Sequence, residues 1–178
     1  MRKSGKLAGL IAIAVLAAVS LGLMGCSQLS TNVGVEENQN DATLLARRNV
    51  SGLPSGEPIY TSAIMPANEG GTLSLVDVEL YFPPNALDND TLIYINIPNI
   101  MVFENHFGTD GLVFNQPVRV TMSYRDADLS GINESSIAMA WFDERTDSWD
   151  QIECTLDTTN KTVTAYVNHF SAYALISD

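Results

Sequence analysis

From Ile59 onward the sequence predicts an all-β fold, an antiparallel β-sandwich of about nine strands, preceded by a signal peptide and a flexible linker. Three observations carry this expectation. Apolar and polar residues alternate in short runs: TLIYINI sets Ile93, Ile95 and Ile97 against Leu92, Tyr94 and Asn96, and PVRVTMSY sets Val118, Val120 and Met122 against Arg119, Thr121 and Ser123. Each run has the pattern of a strand with one buried and one wet face. Turn-forming residues punctuate the runs at Gly70-Gly71, Pro83-Pro84-Asn85 and Asp88-Asn89-Asp90. Helical periodicity is nearly absent, with a helical turn or loop expected only in DADLSGINE, Asp126 to Glu134.

At 178 residues the chain suits one core with tails rather than two domains. It divides into 1–25 as a signal peptide, 26–58 as a linker and 59–178 as the sandwich. Arg2, Lys3 and Lys6 precede an uncharged apolar run from Leu7 to Met24, which is the anatomy of an export signal. Residues 27 to about 58 are polar, rich in Asn, Ser and Gly, and without a sustained period, so they read as a stalk. Such a stalk spans roughly 30 Å on the square-root law for flexible chains. Within it, ATLLARR is long enough only for a short helical turn. Strands follow near 59–64, 72–76, 78–82, 91–97, 117–124, 136–142, 148–154, 162–168 and 171–177.

The end of the apolar run, LMGC, resembles the lipobox of bacterial lipoproteins, with Met24 in place of the commoner Ala, Ser or Val. The resemblance implies cleavage before Cys26, a diacylglycerol on its thiol and an acyl chain on its new amino group. Two or more chains anchor stably where one is marginal. The alternative is an uncleaved signal anchor, since 18 apolar residues lie at the lower limit for spanning a bilayer. In either case the domain is tethered to a membrane and faces away from the cytoplasm. Ser27 after the Cys resembles the sorting pattern for an outer membrane, where the cell has one.

Charge narrows the partners. All 21 acidic residues follow Cys26, together with six of the nine basic ones, so the mature chain has a formal charge of −15. Nucleic acid is excluded as a plausible partner, because binding it requires neutralising phosphates. The two cysteines give no disulfide framework once Cys26 is lipidated, and Cys154 reads as a small buried hydrophobe.

The stretch GGTLSLVDVELYFPPNAL, Gly70 to Leu87, resembles the opening signature of the ZU-five domain, a β-sandwich of zonula occludens scaffolds, Unc-five netrin receptors and ankyrins. The family prefers Gly where this chain has Asn85, and Asn is the next best residue for a left-handed turn. GLVFNQPVRVTMSY and the tail with Trp149 and HFSAYAL resemble later parts of the domain, so the likeness covers about residues 60 to 178. It implies a scaffolding or protein-interaction module. The animal partners and companion domains do not carry over.

His169-Phe170-Ser171 is the one tripeptide with a chemical counterpart. In a few relatives of the family, the same three residues cleave their own chain between Phe and Ser. By that resemblance Ser171 attacks the Phe170 carbonyl, His169 takes the hydroxyl proton, and water resolves the ester. The alternative is structural. The apolar face Val163, Ala165, Val167 would drive His169 and Ser171 into the core unless a bulge or corner resets it to Phe170, Ala172, Ala174 and Ile176.

Other constellations are weaker. Asp126, Asp128, Ser130 and Gly131 fall at EF-hand positions, but the twelfth is Ile137 instead of Glu. His106 is expected in a loop, and two histidines without a Cys pair make a poor zinc site. Ser171 lacks a nucleophile elbow. Tyr60, Tyr81, Tyr94, Trp141 and Trp149 read as core or cross-strand pairs, with a carbohydrate-binding face as the lesser option. The sequence therefore points to a non-enzymatic interaction or structural module, without cofactor or metal, displaying edges and loops to an envelope protein or glycan. A self-processing domain, a carbohydrate-binding module and a passive spacer are the alternatives.

Overall fold

The computed structural model describes residues 42–48 and 57–177. The signal peptide, Cys26 and most of the linker lie outside the described residues. Twelve strands follow in order: β1 (Thr43–Leu44), β2 (Ile59–Met65), β3 (Gly71–Leu75), β4 (Val78–Phe82), β5 (Thr91–Ile97), β6 (Glu104–Gly108), β7 (Val113–Ser123), β8 (Ala138–Asp143), β9 (Ser148–Gln151), β10 (Cys154–Asp157), β11 (Thr162–His169) and β12 (Ala172–Ser177). Among the described residues a single 3-10 turn, Glu134–Ser136, is capped by the Asn133 side chain and accounts for the end of DADLSGINE.

The strands form two sheets, and every pairing is antiparallel. One sheet runs β2-β5-β6-β12-β8-β9, with β1 added against β12; the other runs β10-β11-β7-β4-β3. The inner faces follow the alternation of the sequence. Ile93, Ile95, Ile97, Phe107, Tyr173, Leu175 and Met139 come from the first sheet, and Val78, Leu80, Phe82, Val118, Val120, Met122, Val163 and Val167 from the second, all in one core cluster. The expected β-sandwich is the observed fold.

The strand count is twelve instead of about nine, for three local reasons. ENHFG, inside the stretch read as a loop around His106, forms β6, with Asn105 and Phe107 turned inward. The run expected over 148–154 is two strands. β9 pairs with β8 in one sheet and β10 with β11 in the other, and the chain crosses between sheets at Ile152 and Glu153.

The third difference corrects the reading of residues 42–48 as part of a flexible stalk with a helical turn. Thr43 and Leu44 pair with Ser177 and Ile176, Ala46 bridges to Val102, and Arg47 bridges to Ala127. Leu45 is fully buried, with its N–H on Leu175 O and its carbonyl receiving Phe103 N–H. The segment extends the edge of β12 beyond the point where β6 ends, so its backbone groups are satisfied by a sheet rather than by a helix.

Turn chemistry matches its residues. Asn85 has φ of 62°, the left-handed conformation expected of it. Gly70 has φ of 66°, and a Cβ there would strike the Phe82 and Pro83 backbone.

Candidate functional site

The corner at His169-Phe170-Ser171 is where the chain leaves one sheet for the other. Register shifts between Val167 and His169, which is the bulge expected from the strand phase. Phe170 then enters the core against Phe82, Phe107 and Phe114, with ring centroids 6.0, 5.9 and 4.8 Å away. The expected face beyond it needs correcting. Tyr173 and Leu175 point into the main core, whereas Ile176 joins Ala138 and Ala140 in a small cluster beside Leu44 and Trp149. The two residues of the crossover lie outside both ladders, so the phase slips by one.

Polar groups at the corner are committed to holding it. Ser171 Oγ donates to Phe142 O at 3.1 Å, and Phe107 N–H donates to Ser171 O at 3.3 Å. Tyr173 donates its hydroxyl to His169 O at 2.9 Å, and burial raises the pKa of that phenol. The His169 ring meets Trp141 edge-on at 5.1 Å, and no hydrogen bond joins it to Ser171. The hydroxyl thus sits on a neighbouring strand's carbonyl, and the histidine that would take its proton is packed on an indole.

The same corner forms one wall of a cleft of about 1150 Å³. β6 contributes Glu104 and His106, the loop after it Asp110, and the β8–β9 hairpin Trp141, Phe142, Asp143, Glu144, Arg145 and Trp149. Both tryptophans and both histidines of the chain line it. His106, expected in a loop, and His169, expected at a strand corner, are thereby brought to one site.

Each side chain is positioned by local structure. Phe142 and Trp149 are directly opposed on the hairpin, rings 5.3 Å apart. Asp143 closes that hairpin by accepting from Arg145 N–H and from its guanidinium, both at 2.9 Å. The Arg145 backbone bond is the main reason its pKa lies below the usual carboxylate value. His106 Nε2 and Glu104 Oε1 are 2.7 Å apart. Tyr94 lies on Gly108, where any Cβ would overlap its ring. Its hydroxyl donates to Asp110 at 3.0 Å, and burial, followed by that bond, raises the phenol pKa.

Among the described residues, no three His, Cys, Asp or Glu side chains are placed to share a metal ion. Asp128 receives Ser130 N–H in a local turn, and Asp126 is exposed. Cys154 is half-buried between the two apolar clusters, with Met139 N–H directed at its sulfur at 3.4 Å.

The aromatics separate by position. Trp141, Trp149 and Tyr94 line the cleft; Tyr60 stacks on Tyr94 outside it, at 5.7 Å; Tyr81 lies under Arg119 on the other sheet. The carboxylates Glu104, Asp110 and Glu144 were not singled out by sequence reasoning. Their only signal is charge beside the histidine and the hairpin aromatics. No protein-family model matches the chain, and no curated protein matches it, so the ZU-five likeness rests on the residues that carry it.

Proposed function

We propose that the protein is a bacterial envelope lipoprotein, anchored through Cys26, whose ZU-five-like sandwich is a non-enzymatic binding module. The observation that carries this reading is the cleft. It is a concave site of about 1150 Å³, lined by aromatic and charged side chains, on a sandwich with its own apolar core. That is the general build of a recognition site. The lipobox-like LMGC and the polar residues after it would present this cleft outside the cytoplasm. Two experiments test the two halves. Detergent phase partitioning should move the mature protein to the detergent phase and leave Cys26→Ala unprocessed. Pull-down from envelope extract should recover the same binder repeatedly with wild type and lose it with Trp149→Ala; a passive spacer recovers nothing reproducibly.

A further inference from the structure

The charge of the cleft narrows what it takes. Glu104, Asp110, Asp143 and Glu144 face one arginine, Arg145, leaving a formal lining charge of −3 with both histidines neutral. The arginine is already held by Asp143, so no unpaired cation remains to receive an anion. The acids are unevenly committed: Glu104 uses one oxygen on His106, Asp110 one on Tyr94, and Glu144 makes no hydrogen bond or ion pair among the described residues. Carboxylate oxygens thus remain free beside Trp141, Trp149, Tyr94 and Phe142, whose ring faces are negative.

We infer that the cleft accepts a cationic side chain, the lysine or arginine of a basic segment on a protein partner. This rests on the reading of the domain as a binding module and names the chemistry of its ligand. Aromatic faces and carboxylates both attract an ammonium or guanidinium. A neutral sugar could hydrogen-bond these carboxylates through its hydroxyls but would leave their charge unbalanced. The mature chain's charge of −15 would also draw a basic partner and speed the encounter.

The two tryptophans make the test direct, because both line the cleft and the chain has no others. Full-length protein in nonionic detergent is titrated with oligolysine, oligoglutamate and a neutral cello-oligosaccharide while indole emission is followed. Oligolysine should change the emission saturably, with affinity falling severalfold as salt rises. Asp110→Asn combined with Glu144→Gln should weaken it roughly tenfold at an unchanged melting temperature, as expected when charge complementarity is removed. Both residues are exposed, so the fold should tolerate the change. No response to oligolysine, or the same response in the double variant, overturns the inference. Saturation by the oligosaccharide alone also overturns it, yet leaves the binding-module reading standing; that reading fails separately, if envelope pull-down recovers nothing.

Discussion

Arg47 Nη2 lies 2.7 Å from both carboxylate oxygens of Asp77, and the arginine side chain is only 1% exposed. This pair fastens the segment 42–48 to the turn between β3 and β4. The guanidinium also lies over Phe103, 4.2 Å from the ring centroid, while its Nε and Nη1 have no hydrogen-bond partner. Burial therefore costs the arginine more than the pairing returns, and its pKa is lowered.

Breaking the pair from one side should be far worse than replacing it. Asp77→Ala leaves a buried guanidinium unpaired and should cost about 3–5 kcal/mol. Replacing both residues with leucine should recover most of that loss. Urea unfolding midpoints at constant slope give the comparison. If the double variant is no better than Asp77→Ala, the segment is held by something other than this pair.

The same aspartate sets a pH dependence. Burial pushes the Asp77 pKa up to about 6 from its ordinary 3.8, with Arg47 opposing the shift. The folded state therefore holds this proton more tightly than the unfolded chain. The resulting stability is fully present below pH 3.8 and is lost as pH rises through about 6, at most about 3 kcal/mol. Glu134, Asp143 and Asp157 have lowered values and act the other way, losing stability as pH falls below their ordinary range. Between roughly pH 4.5 and 6.5 the Asp77 contribution should dominate the slope. Melting temperatures of wild type should fall across that window, and Asp77→Asn should remove the decline.

Gly108 tests the wall of the cleft. Because the Tyr94 ring occupies its Cβ position, Gly108→Ala should displace that ring, breaking its bond to Asp110 and its stack on Tyr60. Overpacking of this kind costs about 1–3 kcal/mol. Chemical denaturation measures the loss. Tyr94→Ala in the same background should relieve much of it, since the clash needs the ring.

The architecture was legible wherever one face of a strand is uniformly apolar. TLIYINI and PVRVTMSY became β5 and the greater part of β7 because Ile93, Ile95, Ile97 and Val118, Val120, Met122 all point inward. β6 was hidden because its inward pair, Asn105 and Phe107, includes an amide, while Glu104 and His106 face out. The divide between β9 and β10 was hidden because a crossover from sheet to sheet can preserve the hydrophobic pattern. β1 was hidden because two residues cannot show a period. The cleft was hidden for a related reason: its acids come from β6, the following loop and the β8–β9 hairpin, which only the sheet order brings together.

The corner at Phe170 separates packing from chemistry. Phe170→Ala removes a ring only 5% exposed that touches three other aromatics, and should cost about 3–5 kcal/mol. Ser171→Ala removes only the bond to Phe142 O, which should cost about 1 kcal/mol. A binding module with its hydroxyl held on that carbonyl should give one mature mass, the same for wild type as for Ser171→Ala apart from the lost oxygen. A self-processing domain instead gives two fragments divided between Phe170 and Ser171 in wild type and none in the variant. Because the serine change is mild for the fold, a difference in fragmentation between the two proteins would report chemistry at that bond and not instability.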